Sequence, residues 1–550
     1  MDEMSSTRRM VSNNHMRTVS SHDSLSLQFC PQNTTNTQVR KPPDSICNME
    51  TELWLLWATL AVWLLYYLSR LRRHGTGASR LPPGPRPLLL VGNLLDLRHG
   101  HLHHALAGLA LSHGAPVMRL KLGLTTAVVV SSRAAAAEAF TRHDRRLAAR
   151  AVPDATRALG FSERSMVWLP SSDPRWKALR GVVAAHVFSP RRLAAARGAR
   201  ERKVRDLVSY FRGRAAVREA VELGDAVYGG VLNLVSSALF SADVVDVGSE
   251  SSAGLREAVE DLVELVAKPN VSDLFPFLRR LDLQGRRRHG ARRIEKVFRV
   301  LDGIIDRRLD EAKTSMAKQQ QEDFLGTLLE LTSTGKITRE DVTTILFDVF
   351  TAGSDTIAIT VEWAMAELLR NPSAMARARE ELDGALGGKQ EAVEEADVAR
   401  LPYLQAVVKE AMRLHPVAPL LLPHLAVEDG VEIGGYTVPK GSTVIFNAWA
   451  IMRDPEVWER PEEFVPERFL DSVELRAKDY EFIPFGAGRR LCPGLPMAER
   501  VVPHIVASLL HGFDWRLPEG VSNEQLDLSE KFTTANVLAV PLRAVPVVRT

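Results

Sequence analysis

Between Thr338 and Pro372 the chain carries one uninterrupted helical run, REDVTTILFDVFTAGSDTIAITVEWAMAELLRN. Thr338 is a natural N-cap, and Asp341 three residues on is an acidic variant of the capping box. Pro372 ends the run because it has no N–H to continue the helical ladder. About thirty residues is far above the ordinary helix length, so such a helix must cross the whole body of a protein. A chain built around it is mainly α-helical. Short strand-like runs at AVVVSS (127–132) and STVIFNAW (442–449) add a smaller β region, and MAKQQQED (316–323) reads as a polar connector.

The N-terminal part separates from this body. Residues 1–48 are rich in Ser, Thr and Asn, show no helical or strand period, and read as disordered. Met49 would make a natural start, which would leave residues 1–48 as an artefact of the gene model. From Leu53 to Leu68 there are sixteen residues without a charge, preceded by Glu50 and Glu52 and followed by Arg70, Arg72 and Arg73. At 1.5 Å per residue this reaches about 24 Å, short of a ~30 Å hydrocarbon core but close to a thin endoplasmic-reticulum bilayer. Trp54, Tyr66 and Tyr67 suit the interfaces, and the basic C-terminal flank places the body on the cytosolic side. A cleaved signal peptide is the rival reading; the run is long for one and no A-x-A site follows. The expected layout is therefore an extension (1–48), a single transmembrane helix with its basic flank (49–74), a proline-rich spacer (75–90) and a body (91–550).

A formal charge of +3 is too mild to argue for nucleic acid as partner. After Met49 the only cysteine is Cys492, so the body has no disulfide framework and suits a reducing compartment. That thiol stands in EFIPFGAGRRLCPGLPMAERV, where Phe485, Gly488, Arg490, Cys492 and Gly494 fit F-x-x-G-x-R-x-C-x-G. Each position has a task if the ligand is haem. Cys492 would give iron an anionic thiolate. The glycines, Gly486 included, let backbone approach a flat macrocycle or adopt positive φ. Amides of Gly494 and Leu495 at a helix N-terminus can hydrogen-bond the sulfur, and Arg490 can pair with a propionate. A phosphate-binding loop is the rival, but no G-K-[ST] follows and the cysteine would be idle.

At this point the sequence resembles the cytochrome P450 family from Met49 to its end, and three more motifs agree in order and spacing. AGSDT matches the family's oxygen-activation pattern at Ala352, Gly353, Asp355 and Thr356. The resemblance implies room for O2 beside the small residues, and a carboxylate next to a hydroxyl able to relay protons; a lone helical Thr is otherwise usually back-bonded. KEAMRLHP carries E-x-x-R as Glu410 and Arg413, and FVPERF adds Arg468, which in the family completes a structural Glu–Arg–Arg network. DPRWKALRG and LLLPHLA supply Trp176, Arg180 and His424, which resemble propionate contacts; a packed Trp and a surface His are the plainer readings.

The resemblance implies a membrane-anchored monooxygenase with haem b. It would take electrons from NADPH through NADPH–cytochrome P450 reductase, docked on the basic side near Cys492. Asp355 and Thr356 would be the catalytic pair. By resemblance, GFSERSMVWLP, FDVFTA, VAPLLLPH and TTANVLA face the substrate, and their apolar content suits a lipophilic molecule. DRRLAAR and KPNVSDLFPFLRRLDLQG resemble the plant geraniol-hydroxylase-like group, and within it the grass members that oxidise labdane-related diterpenes. A terpenoid, diterpene or monoterpene, is the expected substrate. The alternatives are a haem-thiolate isomerase or dehydratase working without NADPH, and a non-catalytic haem-binding protein. Three further features are secondary. RHGHLHHAL, with His99, His101, His103 and His104, reads as a solvated loop rather than a metal site; RRRHGARR (286–293) reads as a solvated basic helix end; and Pro503 should kink or reset the helix after the cysteine loop.

Overall fold

The computed structural model describes residues 80–98, 100–245, 269–314, 323–387, 392–470, 478–532 and 535–549. It also describes helical positions at 54, 57–62, 64 and 65, and the isolated positions 247, 264 and 475. The chain divides into two compact units, Met1–Ala78 and Ser79–Thr550. In the first, Trp54, Trp57, Leu60, Val62, Leu64 and Leu65 are helical and exposed. Residues 1–48, the remainder of the expected anchor, and 75–79 of the spacer lie outside the described residues, as does most of the polar connector.

The larger unit is built on the helix that the sequence marked out. It runs Arg339–Arg370, 32 residues, opened by a capping box in which Thr338 Oγ1 accepts from Asp341 N and Asp341 answers to Thr338 N. At 1.5 Å per residue it is about 48 Å long, enough to traverse the unit. Nearly all its positions from Val342 to Leu369 are buried. It packs against the helices Leu223–Phe240, Arg286–Thr314, Pro402–Leu414 and Leu495–Gly512. Leu223–Phe240 and Arg339–Arg370 are apolar enough to span a membrane, yet both are mostly enclosed by protein, so they are core helices.

The two strand-like runs of the sequence pair with each other. Thr125–Val130 lies parallel to Thr443–Phe446, with Ala127 opposite Thr443 and Val130 opposite Phe446. Val117–Leu122 adds an antiparallel edge, and His424–Leu425 followed by Ala149–Arg150 complete five strands. Smaller sheets join 221–222, 543–548 and 513–516, and the hairpins 431–438 and 530–538.

Three expectations change. Leu495–Gly512 runs through Pro503 as one helix, so its start is not reset there. His103 and His104 lie in the helix Leu102–Ser112, and His103 is fully buried rather than in a solvated loop. The basic stretch opens the helix Arg286–Thr314, but Arg287 is paired with the buried Asp154 and Arg288 with Asp282, so it is only partly solvated.

Candidate active site

Cys492 sits at the end of a tight loop. Gly486 N donates to Ile483 O at 3.0 Å, Leu491 N to Gly488 O at 3.1 Å, and Cys492 N to Phe485 O at 3.0 Å. Gly488 has φ +63°, and a Cβ there would lie 2.3 Å from Asp144 Oδ1. Only glycine fits without movement. The same Asp144 carboxylate accepts from Arg489 N, so a helix-end acid from another part of the chain braces the loop. Beyond Gly494 the helix Leu495–Gly512 begins. Burial pushes the free Cys492 thiol up, while the N–H groups of Gly494 and Leu495 and the charge of Arg180 pull the other way. The sulfur therefore has donors in place for an anion but needs a cation to become one.

Around this loop the strands and loops assemble a cationic wall. Arg490 is buried and donates to Ala148 O at 2.6 Å, to Met166 O at 3.2 Å and to Leu169 O. Arg180, one helical turn beyond Trp176, donates to Leu491 O. Arg150 stands opposite His424 in the sheet and donates to Leu422 O. Burial, then Arg490 and Arg180, push Arg150 down to about 9; burial, then Arg180 and Arg489, push Arg490 down to about 10. Among the described residues, the acids acting on these three guanidinium groups are Asp144 and the Cys492 thiol. Arg490 lies over the Trp176 ring at 4.7 Å, and Trp176 Nε1 and Arg150 Nε are buried without a partner. Mutually repelling cations and orphaned N–H donors beside one thiol want a ligand with anionic oxygens and a metal. Haem, with two propionates and iron, fits that donor set. His424 Nδ1 donates to Leu147 O, 2.9 Å away, between Phe140 and Phe446; burial and then Arg150 hold it well below its ordinary value, so it is neutral.

On the long helix, Ala352 and Thr356 are exposed while Phe350, Ser354, Asp355 and Ile357 are buried. Their i,i+4 spacing makes one open window on an otherwise enclosed helix. Thr356 Oγ1 donates to Ala352 O at 2.7 Å, the back-bonded geometry of a helical threonine. Gly353 is partly buried, and a Cβ there would meet Val235 at 3.5 Å. Asp355 turns into the core, so the structure brings Ala352 and Thr356 onto the open face and leaves Asp355 off it.

Glu410 and Arg413 are fully buried on the helix Pro402–Leu414. Arg413 Nε donates to Glu410 Oε2 at 2.7 Å and Nη2 to Oε1 at 2.9 Å. Arg413 also donates to Met452 O, Pro461 O and Glu463 O, while Val465 N and Arg468 Nε donate to Glu410 Oε1 at 2.9 and 3.3 Å. The pair thus ties the loop 452–468 to the helix, a structural task.

The stretches expected to face substrate bring together Phe161, Phe347 and, from the helix Arg286–Thr314, Phe298, with ring centroids 5.0 to 6.3 Å apart. Asp348 beside them is buried and already occupied: Ser165 Oγ donates to both oxygens at 2.8 and 3.0 Å, and Met166 N donates at 2.7 Å. Burial pushes its carboxyl up to about 7. Arg150, Asp144 and Asp348 were not singled out from the sequence. Arg150 and Asp144 bracket DRRLAAR, a charge-rich run in which neither stands out, and Asp348 is the lone charge in FDVFTA, the one signal of the three.

With this geometry in place, comparison with known proteins is direct. A family model described as Cytochrome P450 matches residues 82–540. Cytochrome P450 76M5 of Oryza sativa subsp. japonica is 66% identical over 510 residues, covering 91% of this chain and 100% of the relative. Ent-cassadiene C11-alpha-hydroxylase 1 of the same plant is 61% identical over 500 residues, 90% of this chain and 99% of the relative. Geraniol 8-hydroxylase of Swertia mussotii is 42% identical over 493 residues, 88% of this chain and 98% of the relative. The chain belongs to the cytochrome P450 family and is a haem b monooxygenase.

Proposed function

We propose that this cytochrome P450 hydroxylates a terpenoid, a labdane-related diterpene or a monoterpene, using O2 and electrons passed from NADPH by NADPH–cytochrome P450 reductase. One observation carries the substrate class. Beside the clustered rings of Phe161, Phe298 and Phe347 lies one buried carboxylate among the described residues, Asp348, and it is consumed by Ser165 and Met166. On the same loop Glu163 is exposed and Arg164 is paired outward with Glu340 at 3.3 Å. Such a surface rewards apolar area and offers a polar substrate few partners. The rice and Swertia relatives, named for hydroxylation of a cassadiene and of geraniol, support the same class.

Haem bound here supplies activation of O2 and transfer of one oxygen atom to a C–H bond. The chain's own residues do the rest. Cys492 would be the iron ligand, its sulfur met by the amides of Gly494 and Leu495. Arg150, Arg180, Arg490, Trp176 and His424 would hold the propionates, and Phe485 with Gly486 shapes the turn before Cys492. Ala352 and Gly353 leave space at the window. Thr356 Oγ would hold a proton at the open window, and Asp355, buried beside it in sequence, would be the acid that restores it. Glu410, Arg413 and Arg468 keep the scaffold in register.

The anchor over Leu53–Leu68 would hold the enzyme in the endoplasmic-reticulum membrane with residues 91–550 in the cytosol, preceded by the extension and the spacer. An apolar surface on the larger unit supports lipid contact: Leu88, Leu89, Leu90, Phe277 and Leu281 are exposed, and Gly123–Leu124 bridges them through Val91 O and Leu274 O.

The experiment is a panel of diterpene and monoterpene hydrocarbons incubated in microsomes with a plant reductase and NADPH, read by mass spectrometry. The expected product is the substrate plus one oxygen, dependent on NADPH. Conversion that proceeds equally without NADPH would favour the isomerase or dehydratase reading, and no conversion across the panel would overturn the terpenoid assignment.

A further inference from the structure

We propose that His103, His104 and Glu530 form a binding site for one divalent transition-metal ion of the zinc type, remote from the haem site. The three ligand atoms lie within 4.8 Å of one another. Glu530 Oε2 is 2.9 Å from His103 Nε2 and 3.4 Å from His104 Nε2. Ligands of a tetrahedral zinc ion, with bonds of about 2.0–2.2 Å, stand about 3.4 Å apart. The two edges to Glu530 are therefore within about 0.5 Å of that spacing, and the third, between the imidazoles, is at most 4.8 Å.

The chemistry of the donors agrees. Each imidazole turns its Nε2 toward the same Glu530 oxygen, and a neutral imidazole is the form that binds a metal. Glu530 brings a carboxylate with one oxygen toward His103 and the other toward His415. Two neutral imidazoles and one carboxylate suit zinc better than magnesium or calcium, which prefer all-oxygen shells. His103 is fully buried and its Nδ1 has no partner, so Nε2, the nitrogen aimed at Glu530, is its bonding atom. His104 is 42% exposed and gives the ion an entry path and an open position.

The surroundings fix the ligands rather than merely crowding them. Glu530 Oε1 lies 3.4 Å from His415 Nδ1, and the other nitrogen of His415 lies 2.7 Å from Glu367 Oε1. His415 itself is stacked on Trp363 at 3.7 Å. Partners that orient ligands from behind are the usual companion of a metal site. Trp449 and Phe532 wall the imidazoles at 4.4 and 5.0 Å. Arg453, which acts on all three groups, is drawn off by Glu462 at 3.1 Å and lies over Trp449. An ion here would fasten the helix Leu102–Ser112 to the strand Glu530–Phe532, joining residues 427 positions apart. That strand pairs antiparallel with Asn536–Leu538, and the Asn536 carbonyl accepts from Trp363 while its N–H donates to Val417 O.

The test uses untagged, haem-loaded full-length protein, stripped with a chelator and titrated with ZnCl2 by calorimetry, with bound metal counted by mass spectrometry. One zinc per chain is expected, with no heat from MgCl2. His104→Ala, at a half-exposed position, should weaken the binding at least tenfold; Glu530→Gln should do the same while keeping side-chain shape. His113→Ala, an exposed histidine at the end of the same helix, should leave it unchanged. The carbon-monoxide difference spectrum of the haem thiolate should be the same in all four proteins. No stoichiometric zinc in the parent protein, or equal affinity in His104→Ala, overturns the proposal.

Discussion

Replacing Asp348 by Asn tests the most exactingly held carboxylate near the substrate-facing loop. The side chain is fully enclosed, it accepts from Ser165 Oγ and Met166 N, and no cation is among the groups that set its protonation. Burial outweighs those donors and moves the carboxyl from 3.8 to about 7. The folded chain then keeps a proton that the unfolded chain has released. The stability tied to this group is complete below pH 3.8 and is lost as pH rises through 7. At about 1.4 kcal/mol per pH unit, with rounding near each end, the loss between pH 5 and pH 8 is about 2.5 kcal/mol, most of it below pH 7. Asn cannot ionise, yet its oxygen can accept from Met166 N and its amide can donate to Ser165. The unfolding free energy of the haem-loaded parent and of Asp348→Asn, measured in urea by tryptophan fluorescence across that range, should therefore diverge in favour of the variant as pH rises, then run parallel above pH 8. A difference that does not vary with pH would refute the reasoning, because titrations shared by both proteins cancel.

Glu410→Ala leaves Arg413 buried with only carbonyl oxygens to face, and should cost about 3–5 kcal/mol in urea unfolding. Arg468→Ala removes a 3.3 Å contact from a less enclosed group and should cost clearly less; equal losses would contradict the geometry. Gly488→Ala meets both a positive φ and the Asp144 carboxylate, and should lower haem content read from the absorbance ratio of haem to protein. Adding Asp144→Ala should restore part of that loss, since it removes the collision but not the backbone strain. Gly384→Ala, in an exposed helical position with open space, should instead stabilise by roughly 0.5–1 kcal/mol.

How far the sequence could be read depended on whether a feature is local. The cap at Thr338, the stop at Pro372 and the i,i+3 pairing of Glu410 with Arg413 are set by neighbours in the chain, and all three stand in the structure where the residues put them. The strand runs at 127–132 and 442–449 were legible for the same reason, but their parallel pairing joins segments over 300 residues apart and nothing local announces it. Arg150 escaped notice because its partners come from Leu422, Arg180 and Arg490, and Asp348 because a single acid in an apolar helix looks like a solvated face until Ser165 closes over it. His103 was misjudged through composition: a histidine-rich stretch reads as wet, whereas Phe532, Trp449 and Glu530, from the far end of the chain, remove its water. Pro503 shows the reverse, a local rule overridden by the packing of a largely buried helix.

The parallel pairing of Thr125–Val130 with Thr443–Phe446 has a bearing on how the enzyme is made. On the ribosome, Ala127–Val130 emerges long before the segment that will cover it, and until then presents an apolar, hydrogen-bonding edge with no mate. Chains cut short before residue 443 should be sticky rather than merely inactive, and synthesis of this protein should lean on chaperones until nearly its last hundred residues are out.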